Sequence, residues 1–81
     1  MVAVGITSEG KIIEIDCSYD ILHCYSKDLV SLDIPEGVIK VSCHNNKLTE
    51  LILPDSVTRL ICDKEVIGLE EFIGKIDIEL W

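Results

Sequence analysis

At 81 residues and a formal charge of −8, the chain has room for one domain. Its charge repels phosphate backbones and anionic lipid, which excludes ordinary nucleic-acid and membrane-surface binding. No apolar run approaches the roughly 18 residues of a membrane-spanning helix, and the N-terminus lacks the basic region, hydrophobic stretch and cleavage site of a signal peptide.

A soluble, unprocessed, cytoplasmic protein is therefore expected. Almost half the residues are apolar, yet there is one Phe, one Trp and two Tyr, so the core must be built from Ile, Leu, Val and Cys. A chain this short buries only about 60% of the surface its unfolded form exposes. The fold is marginal, and self-association would help it.

In chain order, residues 1–15 come first as an N-terminal cap. VAVGITSEGKIIEI alternates apolar and polar residues on both sides of Ser8-Glu9-Gly10, which predicts a β-hairpin. Residues 16–72 then divide into three blocks of 19: DCSYDILHCYSKDLVSLDI, PEGVIKVSCHNNKLTELIL and PDSVTRLICDKEVIGLEEF. Five apolar columns align across the blocks. They are Tyr19, Val38 and Val57; Leu22, Val41 and Leu60; Cys24, Cys43 and Cys62; Leu29, Leu48 and Ile67; and Ile34, Leu53 and Phe72.

Pro35 and Pro54 open two blocks, each followed by an acidic residue and then Gly37 or Ser56, so the repeats begin at turns. After each turn Leu22-x-Cys24, Val41-x-Cys43 and Leu60-x-Cys62 alternate as half-buried strands, which would stack as a parallel sheet about 4.8 Å apart. Residues 73–81 close the single domain. Ile76, Ile78 and Leu80 alternate with Asp77 and Glu79 before Trp81, predicting a capping strand.

VIKVSCHNNKLTELILP resembles a leucine-rich repeat of the form L-x-x-L-x-C-x-x-N-x-L-x-x-L-x-L-P, similar to the short repeats of bacterial and viral effector-type proteins. The likeness extends over residues 16–72. It implies a leucine-rich-repeat-like β-solenoid of three coils, with hairpin and strand caps and little helix, that binds a protein partner. Two positions depart from the pattern. The Asn column, whose side chain bonds the turn backbone in that family, reads Lys27, Asn46 and Glu65, and Glu70 stands where the other repeats have Leu32 and Leu51. The third repeat is accordingly expected to be a terminal, capping one.

Cys24 and Cys43 adjoin His23 and His44, a pairing that suits zinc chemically. In an alternating strand, however, neighbours point to opposite faces, and there is no C-x-x-C pair. The recurring cysteines read as small core hydrophobes, with Cys17 outside the ladder. A buried thiol also has a raised pKa and makes a poor nucleophile. Carboxylates such as Asp28, Asp33, Glu36, Glu50, Asp55, Glu70 and Glu71 read as a solvated face. With no glycine-rich phosphate loop and no zinc-type His spacing, the sequence predicts no catalytic residues, metal or cofactor, and a protein that is not an enzyme.

The outward residues of the three strands form a candidate binding grid. Its columns are Ile21, Lys40 and Arg59; His23, Ser42 and Ile61; and Tyr25, His44 and Asp63. Tyr and Arg are favoured interface anchors. The expected function is a non-catalytic protein-protein interaction module. The alternatives are a small acidic inhibitor of viral type that imitates nucleic acid, and a self-assembling structural protein whose copies meet through Trp81 and the C-terminal strand.

Overall fold

The computed structural model describes residues 2–64, 66, 72 and 74–81. Glu65, Ile67, Glu70 and Glu71, singled out above for repeat columns or acidic character, lie outside them. The described residues are all strand and turn. In chain order the strands are β1 (Val2–Thr7), β2 (Ile12–Asp16), β3 (Ile21–His23), β4 (Leu29–Asp33), β5 (Lys40–Ser42), β6 (Glu50–Ile52), β7 (Arg59–Cys62) and β8 (Asp77–Leu80).

These form two four-stranded sheets, one mixed in the order β2-β1-β4-β6 and one parallel in the order β3-β5-β7-β8. That arrangement overturns the expectation of a leucine-rich-repeat-like β-solenoid of three coils closed by separate caps. The physical reason lies in the second half of each repeat and in the two ends. The Leu29–Asp33 and Glu50–Ile52 segments are apolar enough on one face to pair as strands, and β1 joins β4 antiparallel through Val4↔Asp33, Gly5↔Leu32 and Ile6↔Ser31. The hairpin thus supplies half of the mixed sheet. At the other end β8 adds a fourth parallel strand beside β7.

The 19-residue period sets the pairing of β3, β5 and β7 in one sheet and of β4 with β6 in the other. Ile21, Lys40 and Arg59 are cross-strand partners, as are Leu22, Val41 and Leu60, and Ser31 pairs with Glu50. Period-2 alternation then turns one face of every strand inward. Leu22, Val41 and Leu60 of the parallel sheet, with Cys24, Cys43 and Cys62 at the ends of its strands, meet Ala3, Ile15, Leu29 and Leu32 of the mixed sheet in one buried cluster. The shortest dimension of the molecule is 16 Å, which suits two sheets about 10 Å apart.

Gly5 faces inward on β1, where an added Cβ would lie 2.7 Å from Leu29 Cδ2. The missing side chain lets β4 approach. One expected apolar column fails in the first repeat: Val38 and Val57 are buried, but Tyr19 is 93% exposed. Ser18 and Ile21 exchange two backbone hydrogen bonds of 3.0 Å, closing a two-residue turn that leaves Tyr19 in the left-handed region at φ 59°. That turn points its ring to solvent.

The repeat corners are tied to one another by side chains. Ser56 Oγ accepts from the Gly37 N–H at 3.0 Å and donates to the Val38 carbonyl at 2.8 Å. Asn46 does more. Its Oδ1 accepts from the Lys27 and Leu29 N–H groups at 2.9 and 3.0 Å, while Nδ2 donates to the carbonyls of Cys24, Cys43 and His44 at 2.9, 3.0 and 3.3 Å. Between the second and third repeats this duty passes to Asp63, whose carboxylate accepts from the Asn45 and Asn46 N–H groups at 2.8 and 2.9 Å. A carboxylate from the strand end replaces the amide that the third repeat lacks.

Candidate functional site

Six residues of the predicted grid fall on β3, β5 and β7, while Tyr25, His44 and Asp63 lie just past the ends of those strands, and the structure treats the nine differently. Ile21 and Ile61 are half-buried, and His23 is exposed. Ser42 is 6% exposed and presents little to a partner. Asp63 turns back into the corner to accept the Asn45 and Asn46 N–H groups. Its place in the outward column is therefore vacant.

Trp81 fills that space. β8 pairs with β7 through Arg59↔Asp77 and Cys62↔Leu80, an offset one residue shorter than the repeat, which brings Trp81 beside Asp63. The Trp81 N–H donates to the Cys62 carbonyl at 2.9 Å, and the Trp81 carbonyl accepts from Lys64 at 3.2 Å. With Asp63 bent away, the indole reaches across to His44, at a ring separation of 4.2 Å and an interplanar angle of 22°. His44 stacks in turn on Tyr25 at 5.1 Å and 10°, and His23 meets Tyr25 edge-on at 6.2 Å and 79°.

The result is a row of rings running across the strands. Its two ends remain accessible, Tyr25 at 48% and Trp81 at 61% of full exposure. His44 sits half-buried between them, with a buried Nδ1 that has no hydrogen-bond partner among the described residues. Trp81 Nε1 donates to Glu79 at 2.7 Å, which fixes the indole orientation. Flat, orientationally fixed rings offer contact area at low entropic cost.

The first column of the grid sets two cations, Lys40 and Arg59, on neighbouring strands. Arg59 is already committed, its guanidinium bonding Asp77 at 2.6 Å and Glu79 at 3.3 Å. It fastens β8 to β7 and is not the free anchor that the sequence suggested. Lys40, its neighbour in the column, has no ion pair among the described residues, so the joint anion-binding column reduces to one lysine. Trp81, expected at a self-association edge, stacks on His44 instead, a contact that the strict alternation of residues 76–80 into Trp81 signals only in part.

The thiols are placed for packing. Cys24, Cys43 and Cys62 are fully buried, Cys17 is half-buried, and all four are free. Cys24 Sγ donates weakly to the Ser42 carbonyl at 3.4 Å. The neighbouring Cys24 thiol, followed by burial, pushes Cys43 far up. Cys62 is pushed up to about 11 by burial and then by the Asp63 carboxylate. Burial also raises Cys17. Protonated thiols of this kind are weak nucleophiles at neutral pH.

Among the described residues, no group of three or more His, Cys, Asp and Glu is positioned to hold a metal ion. Nor is any helix there long and apolar enough to cross a membrane. Carboxylates occur on both sheets and in the turns, with Glu14, Asp16, Asp33 and Glu50 on one sheet, Asp77 and Glu79 on the other, and Asp28 and Asp55 between strands. The chain matches no protein-family model, no curated protein and no solved structure.

Proposed function

We propose that this chain is a non-catalytic protein-binding module that receives its partner on the outer face of the parallel sheet. The observation that carries this is the ring row Tyr25, His44 and Trp81, exposed at both ends and held by backbone pairing and by Glu79. Exposed aromatic residues on a rigid scaffold are the usual energetic anchors of protein interfaces. His23, edge-on to Tyr25, supplies a polar group beside them. The likeness of VIKVSCHNNKLTELILP to a leucine-rich repeat points the same way.

The partner is a protein and not nucleic acid or a membrane, because the net charge of −8 opposes both anionic surfaces. Carboxylates dispersed over turns and both sheets favour this reading over imitation of a phosphate backbone. The four free thiols suit a reducing compartment, the cytoplasm. No cofactor or metal enters the reading. Self-assembly is the second reading, favoured by Leu80 and Trp81, which are 55% and 61% exposed on an outermost strand.

A photo-crosslinking residue at position 25 tests the proposal, with position 19 as the control, since Tyr19 is exposed but lies off the ring row. Crosslinks to one protein from position 25 alone are expected. Equal labelling from both positions, or crosslinks only to a second copy of the chain, would count against it.

A further inference from the structure

The outer face of the mixed sheet is a second, differently built surface. Alternation places Val2, Val4 and Ile6 of β1 outward, 40%, 40% and 37% exposed. Ile12 pairs with Ile6 on β2 and is 72% exposed, and Ile52 at β6 is 50% exposed. Five large aliphatic side chains thus stand in water on one sheet face, four of them on the neighbouring strands β1 and β2 and Ile52 beyond Asp33, and an apolar patch on a small protein commonly marks an interaction site.

Carboxylates line both sides of the β1 ridge. Glu14 is the cross-strand partner of Val4 on β2, and Asp33 is its partner on β4. Asp16 pairs with Val2, and Glu50 follows Ser31 one strand further out. None of the four strands contains a Lys or Arg, while β5 and β7 of the other sheet contribute Lys40 and Arg59. The two faces are therefore chemically distinct.

We infer that the mixed-sheet face docks a short basic amphipathic helix of a protein partner, with apolar residues on β1 and lysine or arginine on the flanking carboxylates. The dimensions suit that occupant. The ridge from Val2 to Ile6 is about 13 Å long, close to nine helical residues at 1.5 Å each. Glu14 and Asp33 stand two strand spacings apart, about 10 Å, which is close to the diameter of a helix with its side chains. Charge argues against a second copy as the occupant, because apposing two such faces would set four carboxylates against four without a cation. This surface is independent of the ring row, so either can fail alone.

The full chain is titrated with a synthetic helical peptide carrying leucine on one face flanked by lysine, and with its glutamate-flanked counterpart, while amide shifts are followed by NMR. Binding of the lysine peptide alone is expected, with shifts centred on β1, β2 and β4 and affinity falling about tenfold or more between roughly 0.05 M and 0.5 M salt. A Val4→Thr/Ile6→Thr variant should weaken it about tenfold, because threonine keeps the strand while removing apolar contact. A Glu14→Gln/Asp33→Asn variant should lose most of the salt dependence. A circular-dichroism spectrum and urea midpoint like the parent's confirm that each variant is folded. Shifts confined to β3, β5, β7 and β8, affinity unaffected by either variant, or a concentration-dependent dimer abolished by Val4→Thr/Ile6→Thr would overturn the inference.

Discussion

Replacing Asn46 by alanine removes the side chain that joins the first two repeat corners. Five backbone groups lose a partner at once: the N–H groups of Lys27 and Leu29 and the carbonyls of Cys24, Cys43 and His44. Each net hydrogen bond contributes about 0.5–1.5 kcal/mol, and water recovers part of it where the corner is exposed, so the expected loss is about 2–4 kcal/mol. A chain of 81 residues has a total stability of roughly 4–12 kcal/mol. The variant should therefore melt about 10–20 °C lower. Asn46→Asp keeps the oxygen that accepts both N–H groups but sets a carboxylate against three carbonyls, and should lose at least as much. Urea unfolding followed by far-UV circular dichroism and by the fluorescence of Trp81 measures both variants. A loss below about 0.5 kcal/mol for each would refute the view that these side-chain bonds hold the corners together.

Leu60→Ala, which empties the centre of the parallel sheet's inner face, should cost about 2–5 kcal/mol in the same urea assay. Gly5→Val should cost about 1–3 kcal/mol by overpacking against Leu29, whereas Tyr19→Ala, at a solvated turn, should change the midpoint by less than about 0.5 kcal/mol. The thiols give a pH prediction. A cysteine whose folded pKa is raised contributes stability below its ordinary value of 9.0 and loses it as pH climbs towards the folded value, about 11 for Cys62. Stability should thus fall by about 1–3 kcal/mol between pH 8.5 and 10.5, a fall that Cys62→Ala should reduce, as read by urea midpoints across that range. In a thiol-reagent assay at neutral pH, Cys17 should react first and the three buried cysteines only at the rate of opening.

How far the sequence reached can be traced residue by residue. The 19-residue spacing of Leu22, Val41 and Leu60 foretold which residues stack in the parallel sheet, because a repeated inward position is a local pattern. The antiparallel union of β1 with β4 was not legible. It joins Val4 to Asp33 across 29 positions, and no periodicity encodes a pairing of that kind. Tyr19 looked apolar by column, but the Ser18–Ile21 turn overrode the column with a left-handed residue.

Within the candidate site, the spacing that pairs Ile21 with Lys40 and Lys40 with Arg59 was legible, but the competition for the grid's side chains was not. Asp63 is drawn away by two unsatisfied N–H groups, and Arg59 by two carboxylates on a strand whose offset of 18 the repeat did not predict. Those two diversions make room for Trp81 and hold it there. They also change which substitutions are informative. Arg59→Glu would set a third carboxylate beside Asp77 and Glu79 and release β8, so it would confuse loss of structure with loss of binding.

Affinity capture from the native host's lysate asks whether a protein partner is held by the ring row. The bait is the wild-type chain beside a Tyr25→Ala/Lys40→Glu/Trp81→Ala variant with the same circular-dichroism spectrum. A protein retained by the wild type and lost from the variant is expected. Equal retention by both would contradict it.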